Sequence, residues 1–173
     1  LRAAMQRQSA PAEPVEVREL GLRYLVDPAR GLDAGLYPDM RAVRAWLQRH
    51  WKGRRVLNTF AYTGAFSICA ALSGATTTTL DLSQPYLDWA RENMLLNRID
   101  AQSQHFCRGD TFHWLRRFAR QDRHFTGIVL DPPTFSRDHR GKVFRAEEHY
   151  GELVALAAAC LAPGGWLLCT TNC

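Results

Sequence analysis

Lysine is almost missing from this chain: of 22 basic residues only Lys52 and Lys142 are lysine, the rest being arginine. Against 17 acidic residues this leaves a formal charge of +5, which fits a polyanionic partner and equally an arginine-rich solvated surface. Cysteine is sparse and unpatterned. Cys69, Cys107, Cys160, Cys169 and Cys173 form an odd set without C-x-x-C spacing, which argues against a disulfide framework and against a metal site. Cys107 and Cys169 read as small core residues. No stretch approaches the roughly eighteen uninterrupted apolar residues of a membrane span, and Leu1-Arg-Ala-Ala-Met5 has no apolar signal region, so the expectation is a cytoplasmic protein without membrane contact. The absence of G-x-G-x-x-G weighs against a dinucleotide, whose pyrophosphate would lack its glycine cradle. Internal repeats and low-complexity tracts are absent too.

What remains is a chain of 173 residues, 46% hydrophobic, enough for one core of ordinary size. It starts without Met and stops at Cys173 directly after an apolar run, which reads as a piece of a longer protein. Three stretches are expected: 1–14, polar and proline-containing, as a leader or linker; 15–38 as a β-hairpin and loop; and 39–173 as the main domain. The hairpin is Val15 to Leu20 and Leu22 to Asp27 around Gly21. Met40, Val43, Trp46, Leu47 and Trp51 recur at helical spacing, with Asp39 as N-cap and Arg41, Arg44 and Arg49 falling between them, the pattern of an amphipathic helix.

From Val56 the pattern alternates. Strands are predicted at Val56–Phe60, Thr76–Asp81, Gln104–Arg108, Gly127–Asp131 and Trp166–Thr171, and helices at Gly64–Leu72, Gln84–Asn97, Thr111–Arg120 and Glu147–Leu161. Parallel neighbours need crossovers, so this is an α/β fold, a Rossmann-like parallel sheet with helices on both faces.

Three segments end apolar runs at what should be one edge of that sheet: Val56-Leu-Asn-Thr-Phe-Ala-Tyr-Thr-Gly64, Leu80-Asp81-Leu-Ser83 and Asp131-Pro-Pro-Thr-Phe-Ser136. In open α/β sheets ligands bind outside the carboxyl ends of the strands. The order of the three reads as a site for S-adenosylmethionine. The turn of Phe60, Tyr62, Thr63 and Gly64 would receive the methionine carboxylate at a helix N-terminus, with Gly64 permitting close approach. Asp81, with Ser83 beside it, would accept both ribose hydroxyls. Asp110 could accept from the adenine amine, with Thr111 next to it, and also suits an N-cap. Tyr62 either packs on the cofactor or covers the core.

Two prolines in succession fix the backbone after Asp131, so Asp131, Pro132 and Pro133 are candidates for aiming polar groups at an acceptor base. Downstream, Phe135, Arg137, Arg140, Lys142 and Arg145 interleave an aromatic with cations, as expected of a substrate mouth stacking on a base and touching phosphate, or of a solvated loop. His139 and His149 match no nucleophile pattern and are assigned no catalysis. Cys173 invites a covalent reading, since methylation at carbon 5 of a pyrimidine starts with thiolate addition, but nothing beside it in sequence lowers its pKa.

These motifs, with Gly35-Leu-Tyr-Pro-Asp-Met-Arg41, Thr79-Leu-Asp-Leu-Ser-Gln-Pro-Tyr-Leu-Asp-Trp-Ala-Arg-Glu-Asn93 and Gly164-Gly-Trp-Leu-Leu168, resemble the bacterial large-subunit ribosomal RNA methyltransferases. The resemblance runs from about Leu22 to the end. It implies a class I methyltransferase domain acting on ribosomal RNA. In the cytosine-modifying branch the nucleophilic cysteine falls seven positions after the glycine pair, and here Asn172 stands there. The guanine-N7 branch, whose segment ends in Ser-Asn-Asn, is the nearer match and places Asn172 near the target base. It needs no covalent intermediate, because N7 carries a free lone pair. A one-residue slip would bring Cys173 in instead. The resemblance implies a further helix and β-hairpin after the last strand, past the point where this sequence stops. Rival readings are a methyltransferase of proteins or small molecules, and a cofactor-binding module without catalysis.

Overall fold

Short runs rich in Val, Leu, Ile and Thr, each followed by a helical period, assemble in the computed structural model into a five-stranded parallel sheet. Residues 13–51, 54–137, 141 and 143–171 are described. The chain opens with an antiparallel hairpin, β1 (Val15–Glu19) and β2 (Leu22–Val26), and continues through 3-10 turns at Pro28–Asp33 and Pro38–Met40 into α1 (Arg41–His50). Then follow β3 (Arg55–Thr59), α2 (Ala65–Leu72), β4 (Thr76–Asp81), α3 (Gln84–Leu96), β5 (His105–Arg108), α4 (Thr111–Arg120) and β6 (Phe125–Leu130). A ribbon of β7 (Phe135–Arg137) and β8 (Val143–Arg145), helix α5 (Ala146–Ala158) and β9 (Leu161–Cys169) complete the described elements. Among them no helix is long and apolar enough to cross a membrane.

The strand order is β5-β4-β3-β6-β9. The chain enters the sheet at its centre with β3, steps outward through β4 to β5, then returns to β6 on the other side of β3. The order therefore reverses between β3 and β6, and the loops leaving those two strands diverge to opposite faces, which opens a crevice at their carboxyl ends. Side chains alternate across the sheet with the strand period of two. Leu57, Leu80, Ile128 and Leu130 pack with Leu115 and Phe118 of α4 and Leu153 of α5, whereas Val56 and Val129 pack with Leu47 of α1 and Phe66 of α2. Asn58 on β3 and Thr79 on β4 both donate to the Ser67 hydroxyl of α2, at 3.0 and 2.9 Å, tying two central strands to that helix.

The hairpin rests on the helices of one face. Leu22 and Tyr24 pack with Ile68, Cys69 and Met94. The amides of Arg23 and Leu25 donate 2.8 Å bonds to the side-chain oxygens of Asn97 and Asn93, and the Asn97 amide group returns a bond to the Arg23 carbonyl at 2.6 Å. Two asparagines one helical turn apart thus present to β2 the donors and acceptors that another strand would offer.

Several expectations are corrected. Asp39 does not cap α1: the helix is entered through the 3-10 turn, Met40 occupies the cap position without a side-chain bond, and Asp39 turns to the crevice. Arg44, one of the cations of the amphipathic pattern, is only 2% exposed. It is buried because Glu19 accepts from its Nε and Nη2 at 2.6 and 2.9 Å and the Tyr37 carbonyl accepts from Nη2 at 2.9 Å. The last strand begins at Leu161, not Trp166, because Ala162-Pro-Gly-Gly165 is taken into β9 opposite a register shift between Phe125 and Gly127. Cys169 is exposed, since β9 is an edge strand of the described sheet.

Candidate active site

The turn from Phe60 to Gly64 is backbone-strained. Phe60 and Tyr62 have φ of 52° and Gly64 of 80°, three left-handed residues in alternation, of which only the glycine adopts that conformation freely. Strain of this kind persists where surrounding bonds over-determine it, and here they do. The Ala61 amide donates to the Leu80 carbonyl at 3.0 Å, the Tyr62 amide to Asp81 Oδ2 at 2.8 Å and the Gly64 amide to the Ala61 carbonyl at 2.8 Å.

A second strap locks the turn from above. Gly35 donates to the Tyr62 hydroxyl at 2.9 Å and its carbonyl accepts from the Thr63 hydroxyl at 2.6 Å. Gly35 has φ of 110°, and a Cβ there would stand 2.5 Å from the Trp89 ring. The strap delivers Tyr37, 47% exposed, beside Tyr62 at a ring separation of 5.3 Å.

Asp81 ends β4. Both of its oxygens accept from backbone amides, Tyr62 on Oδ2 and Ser83 on Oδ1, each at 2.8 Å. Burial nevertheless outweighs those bonds and raises its pKa above the usual carboxylate value. A carboxylate oxygen takes two hydrogen bonds, so each retains capacity for a further donor. Asp110 caps α4, one oxygen accepting from the His113 amide at 2.9 Å. Asp131 directly follows β6 and is anchored from the residue after β9, where the Thr170 hydroxyl donates to its Oδ1 and the Thr170 amide donates to the Leu130 carbonyl at 2.9 Å. Burial, and then the nearby charge of Asp39, raise its pKa despite the Thr170 bond.

These loops enclose one cavity of about 490 Å³, within the range of small-molecule sites. Phe60, Tyr62, Asp81, Ser83, Asp110, Thr111, Asp131, Pro132 and Pro133 all line it. Thr63 and Gly64 do not: Thr63 is buried and spends its hydroxyl on Gly35, and a Cβ at Gly64 would fall 2.8 Å from that of Ala90, so α3 packs closely on this glycine. Phe135 and Arg145 lie outside the lining. They form an end pair of the β7–β8 ribbon, with the guanidinium 5.7 Å from the ring centroid and Arg145 Nε 3.7 Å from Glu148. Arg137 belongs to β7. Arg140, Lys142, Asn172 and Cys173 lie outside the described residues, as does His139.

Other lining residues had weaker sequence signals. Tyr37, Asp33 and Asp39 come from the strap, Tyr86 and Phe112 from the first turns of α3 and α4, Phe144 and His149 from the ribbon and α5. Tyr37 falls within a resemblance motif, so its position there was the available hint. The lining is strongly acidic: Asp33, Asp39, Asp81, Asp110, Asp131 and Glu152 against Arg116 alone, inside a protein of net charge +5.

Reversed strand order, a loop braced on a strand-end aspartate and a cavity at the carboxyl edge together define a Rossmann-like ligand-binding α/β domain. A sequence profile of the S-adenosylmethionine-dependent methyltransferases matches residues 3–173. The chain is 43% identical over 169 residues to ribosomal RNA large subunit methyltransferase K/L of Pseudomonas savastanoi pv. phaseolicola, covering 96% of this chain and 22% of that protein. It is 41% identical over 164 residues to ribosomal RNA large subunit methyltransferase I of Aeromonas salmonicida, covering 94% of this chain and 41% of that one. The structure of SMU.776 complexed with SAH superposes with a TM-score of 0.88 at 32% identity, over 96% of this chain and 43% of that one. A SAM-dependent methyltransferase from Agrobacterium tumefaciens gives 0.87 at 26%, over 95% and 54%. The chain belongs to the S-adenosylmethionine-dependent methyltransferase family, whose cofactor is S-adenosylmethionine. It spans about a fifth of the K/L relative and two fifths of the Aeromonas one.

Proposed function

We propose that this domain transfers a methyl group from S-adenosylmethionine to a base of large-subunit ribosomal RNA, with guanine N7 as the favoured atom, in the cytoplasm where ribosomal RNA is found. The observation that carries the reading is the convergence of Asp81, the strained turn and Asp131-Pro-Pro133 on one cavity. Asp81 accepts the two ribose hydroxyls on the lone pairs its amide donors leave open, with Ser83 fixing its orientation. Asp110 and Thr111 flank the adenine, and Phe60 and Tyr62 border the methionine end, with Thr63 and Gly64 bracing them from below. Asp131 and the carbonyl of Pro132, on a backbone held rigid by Pro133, orient the acceptor base, against which Tyr37 offers an exposed ring for stacking. Phe135 and Arg145, next to the lining residues Ser136 and Phe144, border the mouth.

Bound cofactor supplies a methyl on a cationic sulfonium. Transfer of that methyl to the N7 lone pair would leave the sulfur neutral and the positive charge on the base, so the residues around the acceptor have a cation to accommodate. An acid-lined cavity accommodates that charge both before and after transfer. Carbon-5 chemistry would need a thiolate, and no cysteine among the described residues lines the cavity. Cys69, Cys107 and Cys160 are buried, which raises their thiol pKa, that of Cys69 to about 11. The relatives named as ribosomal RNA methyltransferases support the substrate class.

Transfer of radiolabelled methyl to unmodified large-subunit RNA, followed by nucleoside mass spectrometry, tests the reading: labelled 7-methylguanosine is expected, and label confined to protein or small molecules overturns it. Thr170→Val in the same assay should lower kcat about tenfold through a loosened Asp131 while cofactor affinity stays within about twofold, and Thr170→Ser should restore the rate.

A further inference from the structure

Several arginines are answered by a carboxylate: Arg23 by Glu16, Arg30 by Asp27, Arg91 by Asp88, Arg116 by Glu152 and Arg145 by Glu148. Single arginines elsewhere are not, among them Arg41, Arg49 and Arg98, and neither are four that follow one another along the end of β5 and α4. Among the described residues, no carboxylate forms an ion pair with Arg108, Arg117, Arg120 or Arg123.

Two of the four guanidiniums rest on aromatic rings. The Arg117 guanidinium lies 4.9 Å over the Trp114 ring, and Trp114 Nε1 donates to the Arg108 carbonyl at 3.0 Å. Arg123 sits over Phe118 and Phe125 at 5.0 and 5.3 Å and donates to the Thr78 hydroxyl at 2.9 Å. Arg108, Arg117 and Arg120 are exposed. The strip begins at the cavity, because Gly109 to Phe112 line its wall, and follows α4 for about 15 Å at ~1.5 Å per residue.

We infer that this β5–α4 face is a track for the phosphate backbone of the RNA strand that delivers its base to the cavity; the inference rests on the proposed RNA substrate. An acidic cavity repels a polyanion while admitting a neutral base, so the strand needs a compensating cationic surface next to the mouth, and these arginines supply it. The guanidiniums of Arg117 and Arg123 are pre-oriented on aromatic rings, which lowers the entropy lost on binding phosphate. A strand carrying one charge per ~3.4 Å would meet several of them at once.

The test is RNA affinity against salt concentration for the chain and for the triple variant Arg108→Gln, Arg117→Gln and Arg120→Gln, with cofactor affinity and melting temperature as controls. The variant should bind RNA on the order of tenfold more weakly at low salt, with a log–log slope shallower by about 2, and with cofactor affinity unchanged. If the parent methylates RNA and the variant shows the same affinity and slope, the track is overturned while the substrate reading stands, and the face is left to a protein partner. If the parent binds no RNA, both fall.

Discussion

Replacing Asp81 with Ala should weaken S-adenosylmethionine binding by about 3 kcal/mol or more, a factor on the order of 100, because two hydrogen bonds to a charged acceptor are lost together. Titration calorimetry reads this directly, and unchanged affinity would remove the site. Asp81→Asn should do almost as badly. The carboxylate accepts from the Tyr62 amide on one oxygen and from the Ser83 amide on the other, so either orientation of an asparagine turns its NH2 against a backbone N–H. The pH dependence has a definite sign. Burial raises the Asp81 pKa, and the ionised form is the acceptor, so affinity is full above the raised pKa and declines as pH falls through it, earlier than an exposed aspartate would allow. For the empty protein the same shift works the other way: its stabilising contribution is complete below the unfolded pKa and is lost as pH rises through the folded one.

Glu19→Ala should destabilise the fold by about 3–5 kcal/mol, since it leaves the Arg44 guanidinium buried and unpaired. For a domain of this size that is a fall in Tm of roughly 10 °C or more, measurable by thermal denaturation. The paired change Glu19→Leu with Arg44→Met should recover most of the loss, because a buried ion pair and an apolar pair of similar volume are close in free energy. A single variant melting within a degree or two of the parent would show that the pair carries no such cost. Because Arg44 also holds the Tyr37 carbonyl, the single variant should lose RNA methylation ahead of cofactor binding.

The parallel sheet was legible because each strand is short, apolar and followed by a helical period, and the predicted bounds of β4 and α4 coincide with those observed. The strand-end aspartates were legible because a carboxylate directly after an apolar run has to lie at the sheet edge. What escaped depends on partners distant in sequence. Nothing near Arg44 announces Glu19, 25 positions earlier, so a buried cation looked like one on a solvated face. Gly164-Gly165 reads locally as a turn, yet pairing with β6 draws it into a strand whose register shift absorbs the irregularity. The sequence marks Gly64 as a place for close ligand approach, but not its tight packing against Ala90 on α3, which comes from a helix 26 positions on.

The asparagines of α3 bear on how the hairpin meets other chains. A two-stranded ribbon at a surface ordinarily offers two rows of vacant amides and carbonyls, either of which can recruit an extended peptide or a neighbouring copy. On β2 that row is already occupied by Asn93 and Asn97, so among the described residues strand addition to this hairpin is left to β1, and the helix acts as a built-in guard against self-association on its own side.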